Sequence, residues 1–184
     1  MNSPIRIFFA ITPPKEQQKI IAHVLQQLQI KIPSDTVRWT PLNKLHITLH
    51  FLKAFDLKDL ENLSKKVEEQ LKQFPPFEIS VEGLELFPSG KHPKVISFNI
   101  PTREKNEILE LAKVISNEIK NCGYPPEARP FRPHLTLARI QKPADVDNIN
   151  IKHFQFIANE VILFESRPSI EGSQYIPLKK FSLK

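Results

Sequence analysis

Two histidines in this sequence are each followed, two positions later, by a threonine, and both pairs stand among apolar residues. Residues 45–49 read Leu-His-Ile-Thr-Leu, and residues 133–137 read Pro-His-Leu-Thr-Leu. The chain contains only six histidines, so two copies of one such pattern indicate a shared task rather than two unrelated structural residues. His46 and His134 are therefore the first candidates for catalysis.

An imidazole pair with two neighbouring hydroxyls suits displacement at a phosphodiester. One ring removes a proton from the attacking hydroxyl or water, and the other protonates the departing sugar oxygen. Imidazole has an ordinary pKa of about 6.5, which allows either state near neutral pH. The hydroxyls of Thr48 and Thr136 can donate hydrogen bonds to the non-bridging oxygens as negative charge develops. Arg139, three positions after the second threonine, is the candidate for a permanent positive charge.

Only a strand positions such a His–Thr pair correctly. Residues i and i+2 of a strand share one face, so each pair projects together while the intervening apolar residue enters the core. On a helix the two side chains would diverge by roughly 200°. If the two halves of the chain are related by a pseudo-twofold axis, both pairs reach one cleft. Regular alternation would place Arg139 on the face opposite Thr136, so a strand end or a β-bulge must intervene.

The apolar pattern predicts eight strands and three helices without regular βαβ alternation. The predicted strands cover residues 5–11, 37–39, 45–52, 77–86 with a possible bulge near Gly83, 95–100, 134–140, 154–164 and 174–183. The predicted helices begin after Pro14, Asp56 and Thr102, with Asp56 and Thr102 as the candidate N-caps, and end before Pro33, Pro75 and Gly123. This order predicts an α+β fold with largely antiparallel sheets. No low-complexity linker divides the chain, which predicts a single domain over residues 1–184.

Composition favours an ordinary globular protein with an anionic partner. Hydrophobic residues make up 40% and charged residues 25% of the chain, and the formal net charge is +6. A mild positive excess favours a polyanionic partner, although a surplus of lysine that serves solubility would give the same charge. Cys122 is the only cysteine, so no internal disulfide can form and a reducing compartment fits best. No apolar run approaches the length of a membrane span. These observations predict a cytoplasmic protein without a membrane partner.

The remaining histidines and several aromatic residues need separate interpretation. On a regular strand His50 would share the face of His46, but the second copy has Ala138 at the matching place. We therefore interpret His50 as a residue at the rim of the cleft, and His23 and His92 as solvated. The aromatic residues that offer a ring either for stacking on a base or, more commonly, for core packing are Trp39, Phe131, Phe8 and Phe9.

The candidate residues lie in longer segments that resemble a known family. This family is the RNA 2′,3′-cyclic phosphodiesterases, also called 2′–5′ RNA ligases, of the two-histidine phosphoesterase superfamily. The resemblance runs nearly from end to end. It is most specific at residues 129–139, which read Arg-Pro-Phe-Arg-Pro-His-Leu-Thr-Leu-Ala-Arg. The other segments that resemble the family are residues 6–11, 37–52, 86–89 and 172–175.

The resemblance implies a bilobal, pseudo-twofold α+β fold, in which two intertwined lobes form a central cleft and the helices lie outside. It implies hydrolysis of RNA 2′,3′-cyclic phosphates to 2′-phosphates without a metal ion or another cofactor. By position, His46 and His134 are then the catalytic residues, and Thr48, Thr136 and Arg139 bind the substrate phosphate. The near-symmetry leaves the direction of proton transfer open, and we favour His134 as the base and His46 as the acid.

Several alternatives remain open at this point. An RNA 5′-hydroxyl in place of water would give a 2′–5′ linkage at the same site, so reversible ligation is a second expected reaction. The expected substrate is an RNA with a cyclic phosphate end, tRNA fragments among the candidates, or a cyclic nucleotide, and the expected state is a monomer. A metallohydrolase is a weaker reading because no carboxylate cluster flanks either histidine. A basic RNA-binding module without catalysis is the non-enzymatic alternative.

Overall fold

The computed structural model describes residues 3–88, 92–102, 106–125, 127, 129–142, 151–170 and 172–184, and ten strands and three helices lie within them. The helices are α1 (Lys15–Lys31), α2 (Leu60–Leu71) and α3 (Glu107–Asn121). The strands are β1 (Ile5–Ile11), β2 (Val37–Trp39), β3 (Ile47–Phe55), β4 (Phe77–Val81), β5 (Leu84–Phe87), β6 (Val95–Asn99), β7 (His134–Ile140), β8 (Phe154–Ala158), β9 (Glu160–Ser169) and β10 (Gly172–Ser182).

The strands form two four-stranded sheets and one two-stranded ribbon. Sheet A has the order β10-β9-β1-β3, sheet B has the order β2-β7-β6-β5, and β4 pairs with β8. Every pairing between the described strands is antiparallel. The α+β class with largely antiparallel sheets is thereby confirmed. The two histidine motifs fall in different sheets, because β3 belongs to sheet A and β7 to sheet B.

Each helix turns one apolar stripe towards the core. In α3 the buried residues recur every three or four positions, which keeps them on one face of the helix. They are Ile108, Leu111, Ala112, Ile115 and Ile119. The helix α3 packs against β3, and α2 packs against both α3 and β10. These contacts cover sheet A from one side and leave its other side free to form a cleft.

A β-bulge on β7 brings Arg139 to the face of the catalytic candidates. Thr136 and Ala138 pair with consecutive residues of β6, which leaves Leu137 as one extra residue. Leu137 and Ala138 are both fully buried although they are adjacent. The alternation therefore reverses after Leu137, and Arg139 returns to the side of Thr136. The bulge that the sequence required for Arg139 is present.

The strand β3 carries a bulge at the equivalent position, and this overturns one prediction. Thr48 and His50 pair with consecutive residues of β1, so Leu49 is the extra residue. His50 is consequently turned into the core, with only 5% of its surface exposed. The interpretation of His50 as a rim residue is wrong because it assumed regular alternation. Phe51 now occupies the place in sheet A that Arg139 occupies in sheet B.

Replacing His50 by methionine is expected to make the free energy of unfolding less sensitive to acid. Burial lowers the pKa of His50, and the negative charge of Glu127 opposes this shift. Its Nε2 atom has no hydrogen-bond partner among the described residues. The unfolded chain takes up the proton near pH 6.5 and the folded chain only at lower pH. Stability should therefore be highest above about pH 6.5 and fall as the pH drops further.

Urea unfolding at about pH 8 and about pH 5 measures this difference. The loss of unfolding free energy on acidification should be smaller in His50→Met than in the unchanged protein. His23→Met is the matched control, because His23 is exposed on α1 and contacts Gln27. An equal acid loss in the unchanged protein and His50→Met would contradict the prediction.

Two predicted strands are each divided into two. Residues 77–86 form β4 and β5, because Gly83 has a φ of +128° and turns the chain from the ribbon into sheet B. Residues 154–164 contribute to β8 and β9, which are separated at Asn159 and belong to the ribbon and to sheet A. The apolar pattern continues across both breaks. Gly83 indicated a bulge within one strand, whereas the structure has a break between two strands there.

Two predicted helix caps are also different in the structure. Asp56 caps a short 3₁₀ turn at Leu57–Asp59 by accepting a hydrogen bond from the Lys58 amide, and α2 begins only after that turn. For α3 the cap is Asn106, whose side chain accepts from the Ile108 amide, whereas Thr102 was predicted. Both Asn and Thr are good caps, so the choice depends on where the helix begins.

The remaining histidines and the aromatic residues differ in how far they are buried. His23 and His92 are exposed, as predicted. Phe9 is fully buried, and Trp39 and Phe131 are partly buried against the same core. Phe8 is buried as well, but its ring also faces the cavity between the two sheets. No helix in the described part of the chain is both long enough and apolar enough to cross a membrane.

Candidate active site

A cavity of about 320 Å³ lies where sheet A meets sheet B. The five residues singled out by the two motifs all line it: His46, Thr48, His134, Thr136 and Arg139. The other lining residues are Arg6, Phe8, Thr40, Lys44, Phe51, Ser166, Ser173 and Tyr175. The two motifs, distant in sequence, therefore meet at one polar cavity of a size that suits a small ligand.

The two imidazoles are held in the same tautomer, because each forms the same kind of hydrogen bond to a main-chain carbonyl two residues earlier in the chain. The Nδ1 atom of His46 lies 2.7 Å from the Lys44 carbonyl oxygen, and that of His134 lies 2.9 Å from the Arg132 carbonyl oxygen. A carbonyl oxygen can only accept a hydrogen bond, so each Nδ1 carries the proton. The Nε2 atom of each neutral ring is then an acceptor, and that of each charged ring is a donor. Either histidine can serve as base or acid through Nε2.

The surroundings of the two histidines differ. His46 is enclosed by aromatic rings, with the centroid of Phe8 at 4.9 Å and that of Tyr175 at 5.2 Å. Burial lowers the pKa of His46, its bond to the Lys44 carbonyl raises it, and positive charge on His134 lowers it again. His134 is exposed at the mouth of the cavity. The repeated motif therefore gives one enclosed and one open imidazole.

Hydroxyls and cations around the cavity suit an anionic ligand. Thr48 and Thr136 are half-buried on strands from opposite sheets, and Arg139 lies beyond the bulge on β7. Two further cations, Arg6 and Lys44, also line the cavity and are not among the residues that the motifs indicated. Positive charge on several sides, with hydroxyl donors between, favours a phosphate group.

A sequence signal for some of the missed residues existed. Arg6 precedes Phe8 by two positions on β1, so strand alternation would place both on one face. Ser173 and Tyr175 have the same spacing on β10 and lie in a segment already noted for its resemblance to the family. Lys44 gave no such signal, because it belongs to a 3₁₀ turn at Leu42–Lys44. Its position depends on how that turn meets the sheet.

Gly172, at the start of β10, has a backbone conformation that favours glycine. Its φ is +110°, and a Cβ atom added there would fall on the guanidinium of Arg38. Gly172→Ala is therefore expected to lower the free energy of unfolding by about 1–3 kcal/mol, measured by urea unfolding. Gly83 also has positive φ, but a Cβ atom there would meet nothing within 4 Å.

Gly83→Ala is thus the control that carries backbone strain without a collision. Gly172→Ala should cost about as much stability as Gly83→Ala, because the Arg38 guanidinium is the end of a flexible side chain and can move aside at little cost. A clearly larger cost for Gly172→Ala would contradict this prediction and show that the guanidinium is held in place.

The described residues offer no evident metal centre. Within the described ranges, no group of three or more His, Cys, Asp and Glu side chains is placed to hold a metal ion. The cavity is lined by histidines, hydroxyls and cations, whereas hard metal ions in hydrolases are usually held with carboxylate ligands. The side chains of this cavity therefore suit proton transfer and anion binding better than metal coordination.

Comparison with known proteins gives a consistent result. A family profile described as the 2′-5′ RNA ligase superfamily matches residues 13–165. The RNA 2′,3′-cyclic phosphodiesterase of Methanothermobacter thermautotrophicus is 25% identical over 187 residues, covering 97% of this chain and 99% of the relative. That of Bacillus subtilis is 28% identical over 153 residues, covering 79% of this chain and 80% of the relative. These matches confirm the resemblance that the motifs indicated.

Solved structures agree with the fold. The crystal structure of a phosphoesterase has a TM-score of 0.83 at 24% identity and covers 98% of this chain and 99% of its own. The structure of Escherichia coli LigT complexed with 3′-AMP has a TM-score of 0.77 at 22% identity and covers 100% of this chain and 99% of its own. At these identities the likeness establishes the fold alone.

Proposed function

Since the chain belongs to the 2′-5′ RNA ligase superfamily, we propose that it hydrolyses the 2′,3′-cyclic phosphate at the end of an RNA strand to a 2′-phosphate. One observation carries this proposal: two imidazoles of fixed tautomer line one cavity with two threonine hydroxyls and an arginine. The relatives named RNA 2′,3′-cyclic phosphodiesterase support the choice of substrate. The Escherichia coli LigT structure with 3′-AMP supports nucleotide binding by this fold.

The proposed reaction is a displacement at phosphorus with two proton transfers. Water attacks the phosphorus and gives its proton to one Nε2 atom. The bond from phosphorus to the 3′-oxygen breaks, and that oxygen takes a proton from the other Nε2 atom. The product carries the phosphate on the 2′-oxygen. The base then releases one proton to solvent and the acid takes one up, which restores both rings. Every atom of the substrate and of the water is retained in the product.

The different surroundings of the rings favour His134 as the base and His46 as the acid. His134 is exposed, so the attacking water can reach its Nε2 atom from solvent. His46 is enclosed, and the lowered pKa of its imidazolium makes it a stronger proton donor than an ordinary imidazolium once it is charged. The anionic substrate favours that charged form by direct attraction. A bell-shaped pH profile would be the same for both assignments, so the direction needs a different test.

Three side chains are assigned to the phosphate. The hydroxyls of Thr48 and Thr136 donate hydrogen bonds to the two non-bridging oxygens from opposite walls of the cavity. The guanidinium of Arg139 supplies the permanent charge that neutralises the phosphorane-like transition state. Arg6 and Lys44 add positive charge at the cavity wall and draw the RNA end towards it.

Ligation is proposed as a minor reaction at the same site. A 5′-hydroxyl that occupies the place of water would attack the same phosphorus and yield a 2′–5′ linkage. No additional residue is needed, because the base and the acid exchange the same protons. Water is present at far higher concentration than any RNA end, so hydrolysis should dominate. That the natural substrates include tRNA fragments, and that the protein acts as a monomer, remain predictions.

The test of the proposed function is an assay with a short RNA ending in a 2′,3′-cyclic phosphate, in the presence of EDTA. We expect full turnover with the chelator present, because protons and hydrogen bonds perform the reaction. Phosphorus NMR of the product should show a 2′-phosphate. A 3′-phosphate would contradict the proposed bond cleavage, and activity that EDTA removes and divalent ions restore would favour a metallohydrolase.

The +6 charge also fits an RNA-binding module without catalysis. Such a module would bind RNA with strong dependence on salt, and its affinity would survive substitution of both histidines. Salt-sensitive binding without any turnover of the cyclic end would support that alternative.

A further inference from the structure

A row of paired residues connects the active site with the outer edge of sheet B. Arg139 on β7 pairs with Val95 on β6, and Val95 pairs with Phe87 on β5. Directly paired residues point to the same face of a sheet. Phe87 therefore lies on the face that carries Arg139, two strand spacings or about 10 Å away. None of the residues lining the cavity comes from β5 or β6, so this face continues outside the cavity.

Arg132 links this edge to the catalytic histidine. Its guanidinium carbon lies 5.2 Å from the centroid of the Phe87 ring, and the same guanidinium forms an ion pair with Glu85. Its backbone carbonyl accepts the hydrogen bond from Nδ1 of His134. One residue thus orients an imidazole with its main chain and reaches the edge strand with its side chain.

The platform formed by Arg132 and Phe87 is open to solvent. The side chain of Arg132 is 55% exposed, and Phe87 is 46% exposed although it is a large apolar residue. Glu85, whose side chain is 19% exposed, holds the guanidinium in place and neutralises its charge. What remains available is the flat surface of the cation, backed by an aromatic ring.

We propose that this platform binds the base of the nucleotide that precedes the cyclic-phosphate end of an RNA strand. The proposal rests on the proposed function, because the cavity must hold that end. Guanidinium planes and aromatic rings are the usual stacking partners of unpaired RNA bases. The platform lies beside His134 and on the face of Arg139, so a strand whose terminal phosphate is in the cavity can reach it. The preferred substrate is then an oligonucleotide rather than a cyclic mononucleotide.

Stacking, and not attraction to a phosphate, is the interaction that the contacts favour. A guanidinium already paired with Glu85 has little charge left to offer to a phosphate, whereas its plane remains free to stack. The preference for the longer substrate should therefore depend weakly on salt. A phosphate contact would instead weaken steadily as salt is added.

The experiment compares kcat/KM for a nucleoside 2′,3′-cyclic phosphate with kcat/KM for a dinucleotide that has the same terminal nucleoside 2′,3′-cyclic phosphate. We expect the dinucleotide to be favoured by about tenfold, the size typical of one stacked base. Phe87→Ala and Arg132→Lys should both reduce this ratio to about one. The lysine keeps the charge and removes the plane, so a ratio preserved in Arg132→Lys and lost in Arg132→Ala would overturn stacking.

Arg167→Lys and Ile157→Ala are the matched controls, and both should keep the preference. Arg167 is an exposed arginine paired with Glu165, and Ile157 is an exposed apolar residue on β8. A ratio near one in the unchanged protein would overturn the proposal while leaving the proposed hydrolysis intact. Failure of the proposed function would appear differently, as absence of turnover with both substrates.

Binding can also be followed without turnover. A dinucleotide ending in a 2′-phosphate, with 2-aminopurine as its first base, should lose fluorescence when that base stacks on the platform. Arg132→Lys should abolish the quenching and Arg167→Lys should retain it. Quenching that persists in Arg132→Lys would place the base elsewhere and overturn the proposal.

Discussion

Alanine in place of His134 is expected to lower kcat for hydrolysis of a 2′,3′-cyclic phosphate by about 10²–10⁴-fold, and His46→Ala by a similar factor. Each imidazole presents one Nε2 atom to the cavity while its Nδ1 atom is bound to a main-chain carbonyl. Removing either ring removes one of the two proton transfers. KM should change little, since the phosphate still meets the two threonines and Arg139. Steady-state kinetics with a cyclic nucleotide measures both values.

A substrate with sulfur in place of the departing 3′-oxygen separates the two histidine variants. A thiolate leaves without a proton, so the variant that lacks the acid should recover most of its activity with this substrate. The variant that lacks the base should not. We expect recovery in His46→Ala and no recovery in His134→Ala. The opposite result would reverse the assignment of base and acid and leave the two-histidine mechanism in place.

The control for both variants is His23→Ala. His23 is exposed on α1 and hydrogen-bonded to Gln27, outside the cavity. It should retain full activity. Thermal unfolding should accompany the kinetics for His46→Ala, because His46 packs against Phe8 and Tyr175. Normal kcat in a folded His46→Ala or His134→Ala protein would refute the catalytic assignment.

Replacement of Arg139 by methionine is expected to lower kcat by about 10²-fold with only a small change in stability. Methionine keeps much of the length of the side chain and removes its charge and its hydrogen-bond donors. The loss should fall mainly on kcat, because the negative charge on the oxygens is greatest in the transition state. Arg139→Lys should recover part of the rate, since it restores the charge without the two-pronged geometry.

Arg129→Met is the matched control for this substitution. Arg129 is also exposed, lies in the same motif and contacts Glu127, but it does not line the cavity. Its loss should leave kcat unchanged. A rise in KM alone for Arg139→Met would mean that Arg139 stabilises the bound substrate and not the transition state. An equal loss of kcat in Arg139→Met and Arg129→Met would mean that the effect comes from the net charge of the surface.

Much of the candidate active site could be predicted from the sequence because its pattern is local. The spacing of His46 and Thr48, and of His134 and Thr136, is meaningful on any strand, since side chains two apart share a face. Strand and helix positions followed from the same apolar periodicity, and β1, β2 and β7 were predicted with the bounds that the structure has. Duplication of the motif then required that the two strands meet.

Pairing between strands determined which side chains face the cavity and which face the core where the local pattern could not. The bulges at Leu49 and Leu137 arise from register against β1 and β6, and they decide that His50 is buried and that Arg139 faces the cavity. A one-residue change of register moves a side chain to the other face of its sheet, and no local pattern records the register of the partner strand. The break at Gly83 likewise depended on which sheet each side of it joined.

The sequence by itself determined which side chains could perform the proposed chemistry, namely two imidazoles, two hydroxyls and a cation with the spacing of paired strands. The tertiary structure alone decided which imidazole is enclosed, which further cations line the cavity, and that Arg132 lies on Phe87, on the face that carries Arg139. The physical reason is that burial and contact depend on residues far apart in the chain. Residue type and spacing are fixed by the chain alone, whereas burial and register are properties of its packing.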